Sequence, residues 1–229
     1  MISQGAEITE QTGGSAGPMI RTLMGIAMLS GFLVVLVYQI TKPMIAENQR
    51  IAIEAAVFQV IPGAVTRRDY YLTEAGLSLV AGDKGSTSLS VYAGYGADGQ
   101  LKGIAAKAAA QGYADLIHLL YGYAPECQCI RGIKVLKLAE TPGLGDKIIT
   151  DAAFVANFDA LDASLAADGK SLAHPIETVK HGTKRQAWEI DAISGATISS
   201  QAVGKALHQS AQALLPKLLP HLPKLEEAL

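Results

Sequence analysis

"DAISGATISSQAVGKALHQSAQALL", residues 191–215, joins two kinds of chain. Its second part repeats Val203, Leu207 and Leu214 at the spacing of one helical face. Its first part is bare: Gly195 and Ala196 lead into Thr197, with hydroxyls at Ser194, Ser199 and Ser200 around it. Two readings of this helix entry stand side by side. In one, Ser194 or Thr197 is an ordinary N-cap, with Gly195 in the preceding turn. In the other, the unpaired amides and positive dipole end of the helix face an anion such as a phosphate, and the small residues let it approach the main chain. Spacing alone permits the anion without demanding it.

The chain ahead of this helix is rich in strands. Between about 65 and 138, short apolar runs such as "LSVYAGYGADGQLKGIAAKAAAQGYAD" and "CIRGIKVLKLAE" alternate with turn residues. Asp98-Gly99 and Gly82-Asp83 are candidate hairpin turns. "LKGIAAKAAA" carries helix-favouring alanines but is assigned to a strand by its neighbours. "TPGLGDK", residues 141–147, is a loop by composition, and "DAAFVANFDALDASL" reads as a helix or broken helix. Strands followed by a helix predict an α+β fold of mostly antiparallel strands with flanking helices.

The 229 residues suit one such domain with an appendage, and a net charge of −2 argues against a nucleic-acid partner. Hydrophobic residues make up 49% and charged residues 17%, a balance that points to a lipid-embedded segment. "LMGIAMLSGFLVVLVYQI", residues 23–40, has no charge and is flanked by Arg21 and Lys42. As a helix it spans roughly 27 Å, close to the hydrocarbon core of a bilayer. A preceding polar stretch and the lack of a small-x-small site after it favour an uncleaved anchor over a signal peptide. Counted naively, the flanking basic residues weakly favour a cytoplasmic C-terminal domain. The expected order is a flexible tail (1–18), a single transmembrane anchor (19–42) and a stalk helix opened by Pro43 (43–63). A folded domain (64–215) and a Pro-rich tail (216–229) follow.

Other motifs fall to plainer readings. "GYGADG", residues 94–99, matches G-x-G-x-x-G, but Asp98-Gly99 makes it a hairpin turn and no helix opens there. The five histidines form no close pair, and no metal site is assigned. Cys127 and Cys129 read as two small buried hydrophobes on one strand face, since a disulfide across one intervening residue is expected to be strained.

Asp191-x-x-Ser194-Gly195-Ala196-Thr197 resembles the motif at which a flavin transferase attaches FMN to threonine through its phosphate. Glu140-Thr141-Pro142-Gly143-Leu144-Gly145 is similar to the "ETPGLG" signature of the FMN-binding domain in G subunits of Rnf ion-translocating electron-transport complexes. The C subunit of sodium-pumping NADH:quinone oxidoreductase is a close relative of that family. The anchor, the stalk ending in "VIPGA" and the Gly112-Tyr113 step also agree. "GYADLIHLLYGYAPECQC" departs from the family in lacking a Gly-Pro and in carrying cysteines.

The resemblance implies a membrane-anchored electron-transfer subunit of an Rnf-type ferredoxin/NADH oxidoreductase. It implies FMN held by a phosphoester to Thr197, and no catalytic acid or base in the chain. Asp191, Ser194, Gly195, Ala196, Glu140, Thr141, Leu144 and Gly145 would surround the cofactor, the loop through its amides and the Thr141 hydroxyl. Lys180 is either a cation beside the flavin or a solvated surface lysine, and Trp188 either abuts the ring or is simply buried. The implied partners are other subunits of a multisubunit membrane complex, a flavin transferase during maturation, and the bilayer. The N-terminus would lie inside and the flavin domain on the periplasmic side of the cell inner membrane, against the charge count. With only Ser30 and Gln39 as polar groups, one span forms no ion path alone. The alternatives are the quinone-reductase C subunit and an anchored binding or assembly module without cofactor.

Overall fold

A computed structural model describes residues 16–73, 76–79 and 89–227. The Gly82-Asp83 turn lies outside these residues. The chain divides into two units, Met1–Arg50 and Ile51–Leu229. Helix α1 (Ala16–Val60) begins in the first and ends in the second. Its first-unit residues present exposed apolar side chains such as Leu29, Phe32 and Val34. By length and composition it is long and apolar enough to cross a membrane. The anchor and the stalk were expected as separate helices, with Pro43 opening the second. Pro43 instead lies inside α1. A proline forfeits one main-chain hydrogen bond, while the good helix formers on both sides keep theirs. The Pro62-Gly63 step ends the run, with Gly63 at φ +83°.

In the second unit a seven-stranded sheet is built from β1 (Thr66–Thr73), β2 (Gly76–Ser78), β3 (Leu89–Tyr95), β4 (Leu101–Gln111), β5 (Leu116–Ala124), β6 (Cys129–Lys137) and β7 (Leu161–Asp162). The order is β2-β1-β3-β4-β5-β6-β7, with every neighbouring pair antiparallel. Strand periodicity sorts the side chains onto two faces. Val91, Ala93 and Tyr95, then Ile104, Ala106, Ala108 and Ala110, then Ile117, Leu119, Tyr121 and Tyr123 enter the main core. Tyr92, Ala105 and Leu120 point the other way and pack with Ala56, Val57, Val60 and Ile61 at the end of α1.

The main face is covered by α4 (Thr197–Leu218), which buries Val203, Leu207, Ala211, Leu214 and Leu218. The alanines of β4, which read locally as helical, are explained here: small side chains on that strand let a helix pack across it. Two short helices, α2 (Lys147–Thr150) and α3 (Ala152–Val155), follow the 141–147 loop, and Asp151 caps α3 by accepting from the Phe154 N–H at 2.9 Å. A separate parallel pair, β8 (Glu177–Val179) and β9 (Glu189–Asp191), packs against α4. The architecture is the expected α+β type, mostly antiparallel with flanking helices.

Two expectations give way. Residues 216–229 do not begin as a tail: α4 continues to Leu218, a short 3-10 turn follows, and α5 spans Leu222–Glu226. Pro220 and Pro223 occupy first-turn positions, where a missing N–H costs nothing. Leu225 is fully buried, and its carbonyl accepts from the Tyr95 hydroxyl at 2.9 Å. Cys127 and Cys129 are not two buried thiols but a disulfide. Cys127 lies exposed in the turn before β6, so strand alternation does not govern it, and the Cα atoms stand 5.1 Å apart, within disulfide reach.

Candidate functional site

Residues 193–196 turn the chain from β9 into α4. Gly195 sits at φ +82°, a left-handed conformation that favours glycine, and the Ala196 N–H donates to the Ile193 carbonyl at 3.0 Å. One buried hydroxyl fixes this turn. Ser200 Oγ accepts from the Ile193 N–H at 3.1 Å and donates to the Ala196 carbonyl at 2.9 Å. Neither Ser194 nor Thr197 caps the helix. Ala196 takes the cap position at φ −129° without any side-chain bond. A capping hydroxyl needs to accept from the second or third helical N–H, and alanine has none to offer. The first main-chain bond of the helix runs from the Ser200 N–H to the Ala196 carbonyl. Thr197, Ile198 and Ser199 therefore present amides without an intrahelical acceptor at the positive end of a 22-residue helix.

A cavity of about 400 Å³ opens at this end of α4. One wall is Gly195, Ala196, Thr197, Ile198 and Ser199; the other is Glu140, Thr141, Leu144 and Gly145, with Tyr113 at the side. The helix entry and the ETPGLG loop, more than forty residues apart in sequence, thus face one another. Thr197 is exposed, so its hydroxyl is accessible. Tyr113, Leu144 and Ile198 are 69%, 49% and 51% exposed, an unpartnered apolar rim.

Glu140 is the one charged side chain among the lining residues. It is buried, accepts from the Ala114 N–H at 3.0 Å and from the Ser199 hydroxyl at 2.5 Å, and so ties the β4–β5 turn to the start of α4. Burial pushes its carboxyl up. The Ser199 hydroxyl and the amides of Ala114, Tyr113 and Asp115 outweigh that and hold it below the usual carboxylate value. Glycines make room for it. A Cβ on Gly145 would stand 2.6 Å from Glu140 Cβ and 2.7 Å from Ser199 Oγ, and one on Gly112 would stand 2.5 Å from Glu140 Oε1.

The 141–147 loop uses its own amides. Leu144 and Gly145 both donate to the Thr141 carbonyl, at 3.2 and 3.1 Å, which removes them from the ligand contacts expected of this loop. Gly143, at φ +79°, makes the turn possible.

Three expected residues lie elsewhere. Asp191 and Ser194 line a second cavity of about 200 Å³ with Lys147, Asp151 and His181. There Asp191 Oδ1 accepts from the Gly182 N–H at 2.7 Å, fixing the turn between β8 and β9. Lys180 is exposed in that turn and lines neither cavity. Trp188 stacks on His174 at 3.7 Å, also away from the cavity. The sequence marks Ser199 and Ser200 only as hydroxyls near Thr197, without their lining and bracing roles, and does not single out Ile198. Tyr113 appeared in it only as part of a motif step. Ser199 carried a signal: it follows Thr197 by two positions and so turns inward where Thr197 turns out.

Residues 112–212, which include both cavity walls, match the FMN-binding domain family. The G subunit of an ion-translocating oxidoreductase complex from Methanosarcina acetivorans is 30% identical over 84% of this chain and 90% of its own length. The chain belongs to this family of G subunits. A second member, from Pseudomonas aeruginosa strain UCBPP-PA14, is 30% identical over 82% of this chain and 84% of its own. The G subunit of the Na(+)-translocating ferredoxin:NAD(+) oxidoreductase complex of Acetobacterium woodii is 32% identical over 72% and 70%. Among solved structures, Shewanella oneidensis NqrC aligns with a TM-score of 0.52 at 19% identity, covering 74% of this chain and 86% of that one. This likeness shows that the G subunit shares its fold with NqrC.

The residues present fit an FMN. The cavity falls in the roughly 300–1,000 Å³ range of small-molecule sites. It combines an apolar rim for a flat ring with an uncapped helix N-terminus for a phosphate. No lysine or arginine is among its lining residues, so the amides of α4 are the cavity's own source of positive potential.

Proposed function

We propose that the chain is the membrane-anchored electron-transfer subunit of an Rnf-type ion-translocating ferredoxin/NADH oxidoreductase. In this reading FMN is joined by a phosphoester to Thr197. The observation that carries it is the exposed Thr197 hydroxyl at an uncapped helix start, facing the ETPGLG loop across one cavity.

Bound FMN supplies a redox-active ring, and the chain supplies everything else. Thr197 is the attachment residue, and the amides of residues 197–199 offset phosphate charge. Tyr113, Leu144 and Ile198 would flank the ring and exclude water from it. Glu140, its oxygens already engaged, holds the two walls in register. The ester lies at the end of the cofactor remote from the ring, so tuning of the ring falls to hydrogen bonds, charge and burial. The chain acts as an oxidoreductase subunit with no acid/base site of its own, and ion passage belongs to the partner subunits. A flavin transferase is required for maturation.

The anchor is the 19–42 part of α1, in the cell inner membrane, with the flavin domain on the periplasmic side.

Tryptic digestion of protein from native membranes isolates residues 186–205. The expected peptide mass exceeds the unmodified value by one FMN less one water. Thr197→Val should lose all in-gel flavin fluorescence while keeping its thermal midpoint, because the side chain is exposed. Fluorescence that survives denaturation in this variant contradicts the assignment.

A further inference from the structure

We propose that Cys127–Cys129 is a thiol–disulfide exchange site, open to an external dithiol and separate from the flavin cavity. The pair closes the turn between β5 and β6. The Gly112–Ala114 turn and Glu140, which belong to the cavity, lie at the opposite ends of the same two strands. Along β5 that is about 26 Å of extended chain.

Three observations point to exchange and away from a structural staple. First, Cys127 is exposed whereas Cys129 is buried, so one sulfur of the bond is open to attack. Second, the enclosed residue, Gln128, has φ +51°, the one described non-glycine residue in the left-handed region. The turn itself sets that conformation, the Gln128 N–H donating to the Pro125 carbonyl at 3.3 Å, so the bridge is not what shapes the loop. Third, the hairpin does not need the bridge. Ala124 pairs with Cys129 and Tyr123 with Ile130 across the strands, and the Ala163 N–H holds the Gln128 carbonyl at 3.0 Å. A loop spanning one residue also restricts the unfolded chain far less than a long one does, so the bond adds little stability. Exposed bonds of this kind are the labile ones.

The exchange balances as follows. A thiolate of the external dithiol attacks Cys127 Sγ, the Cys127–Cys129 bond breaks, and its electron pair goes to Cys129 Sγ, which takes a proton from water. The dithiol's second thiol then attacks the mixed disulfide and releases Cys127 as a thiol. The protein gains two electrons and two protons, and the dithiol becomes a disulfide. The partner is thus a dithiol oxidoreductase by class, acting on the turn without entering the cavity.

The test uses the full chain, flavin-loaded, in detergent. It is incubated with glutathione mixtures of rising reduced fraction, quenched with acid, then denatured and labelled with a polyethylene-glycol maleimide, and resolved by gel mobility. Glutathione in excess is expected to open the pair in more than half of the molecules, giving a two-label shift with unchanged Trp188 fluorescence. Cys129→Ser should take up one glutathione at Cys127. Cys127→Ser, which leaves only the buried sulfur, should take up none. Thr197→Val should open as the unsubstituted chain does, which separates this site from the flavin assignment. The proposal is overturned if the pair stays closed in glutathione until denaturant is added, or if both single variants react equally.

Discussion

The seat of helix α1 and the wall of the cavity at the start of α4 both use glycine to admit a neighbour, but the neighbours differ. At Gly122 the space of a Cβ is taken by the Val60 main-chain carbonyl, and at Gly103 by Ile61 and the Tyr123 carbonyl at 3.0 Å. At Gly112 and Gly145 it is taken by the side chains of Glu140 and Ser199. Main chain cannot step aside without moving a helix or a strand; side chains can rotate. The first region is therefore a rigid apolar fit that tolerates nothing larger. The second is a polar fit held by hydrogen bonds, adjustable at a cost.

Substitutions sharpen that contrast. Gly122→Ala should have the largest effect, about 3 kcal/mol or more, because the new methyl meets backbone. Chemical denaturation of the full chain in detergent reads it, and a loss below about 1 kcal/mol would erase the distinction. Glu140→Ala comes next, at about 2 kcal/mol, since the buried Ser199 hydroxyl and the Ala114 N–H lose their acceptor. Flavin content should fall with it as the two walls lose their tie. Gly145→Ala should cost about 1 kcal/mol, with Glu140 and Ser199 rotating to admit the methyl.

The charge on Glu140 gives a smaller, pH-dependent effect. Its folded-state value is lowered, so its contribution is complete above the unfolded value near 4.5 and is lost as pH falls through the lower folded value. Glu140→Gln should therefore lower stability at neutral pH and flatten the profile below about pH 4.5, where the protonated carboxyl and the amide become alike. Smallest of all is Lys180→Ala, within about 0.5 kcal/mol and with full flavin content, because this exposed residue lines neither cavity.

What could be read from sequence depended on how local the cause was. The SGAT turn and the ETPGLG loop announce themselves through glycines and hydroxyls, and the structure sets them across one cavity. The strands and their hairpin at Asp98-Gly99 follow from alternation and turn residues, and Gly96 donates to the Gln100 carbonyl across that turn at 2.9 Å. Lys180 was out of reach, because its place depends on the parallel pairing of Glu177 with Glu189, which no local pattern encodes. The C-terminal prolines misled for a related reason. Pro220 and Pro223 suit helix starts, Pro216 is carried inside α4, and burial of Leu218 and Leu225 in the core holds this stretch in place. Cys127 was assigned to a strand that begins two residues later, and the strain expected of a bridge across one residue set the disulfide aside; in the turn the two Cα atoms come within its reach.

The position of α4 after the sheet in chain order has a consequence for biogenesis. Strands β3 to β6 are joined by consecutive hairpins and can pair as they are synthesised, whereas the wall carrying Thr197 exists only once α4 docks. A nascent chain halted before residue 197 lacks the hydroxyl to which we propose the cofactor is joined. On that proposal, loading waits for α4 to be made and docked, and a chain interrupted before it is left without the attachment residue.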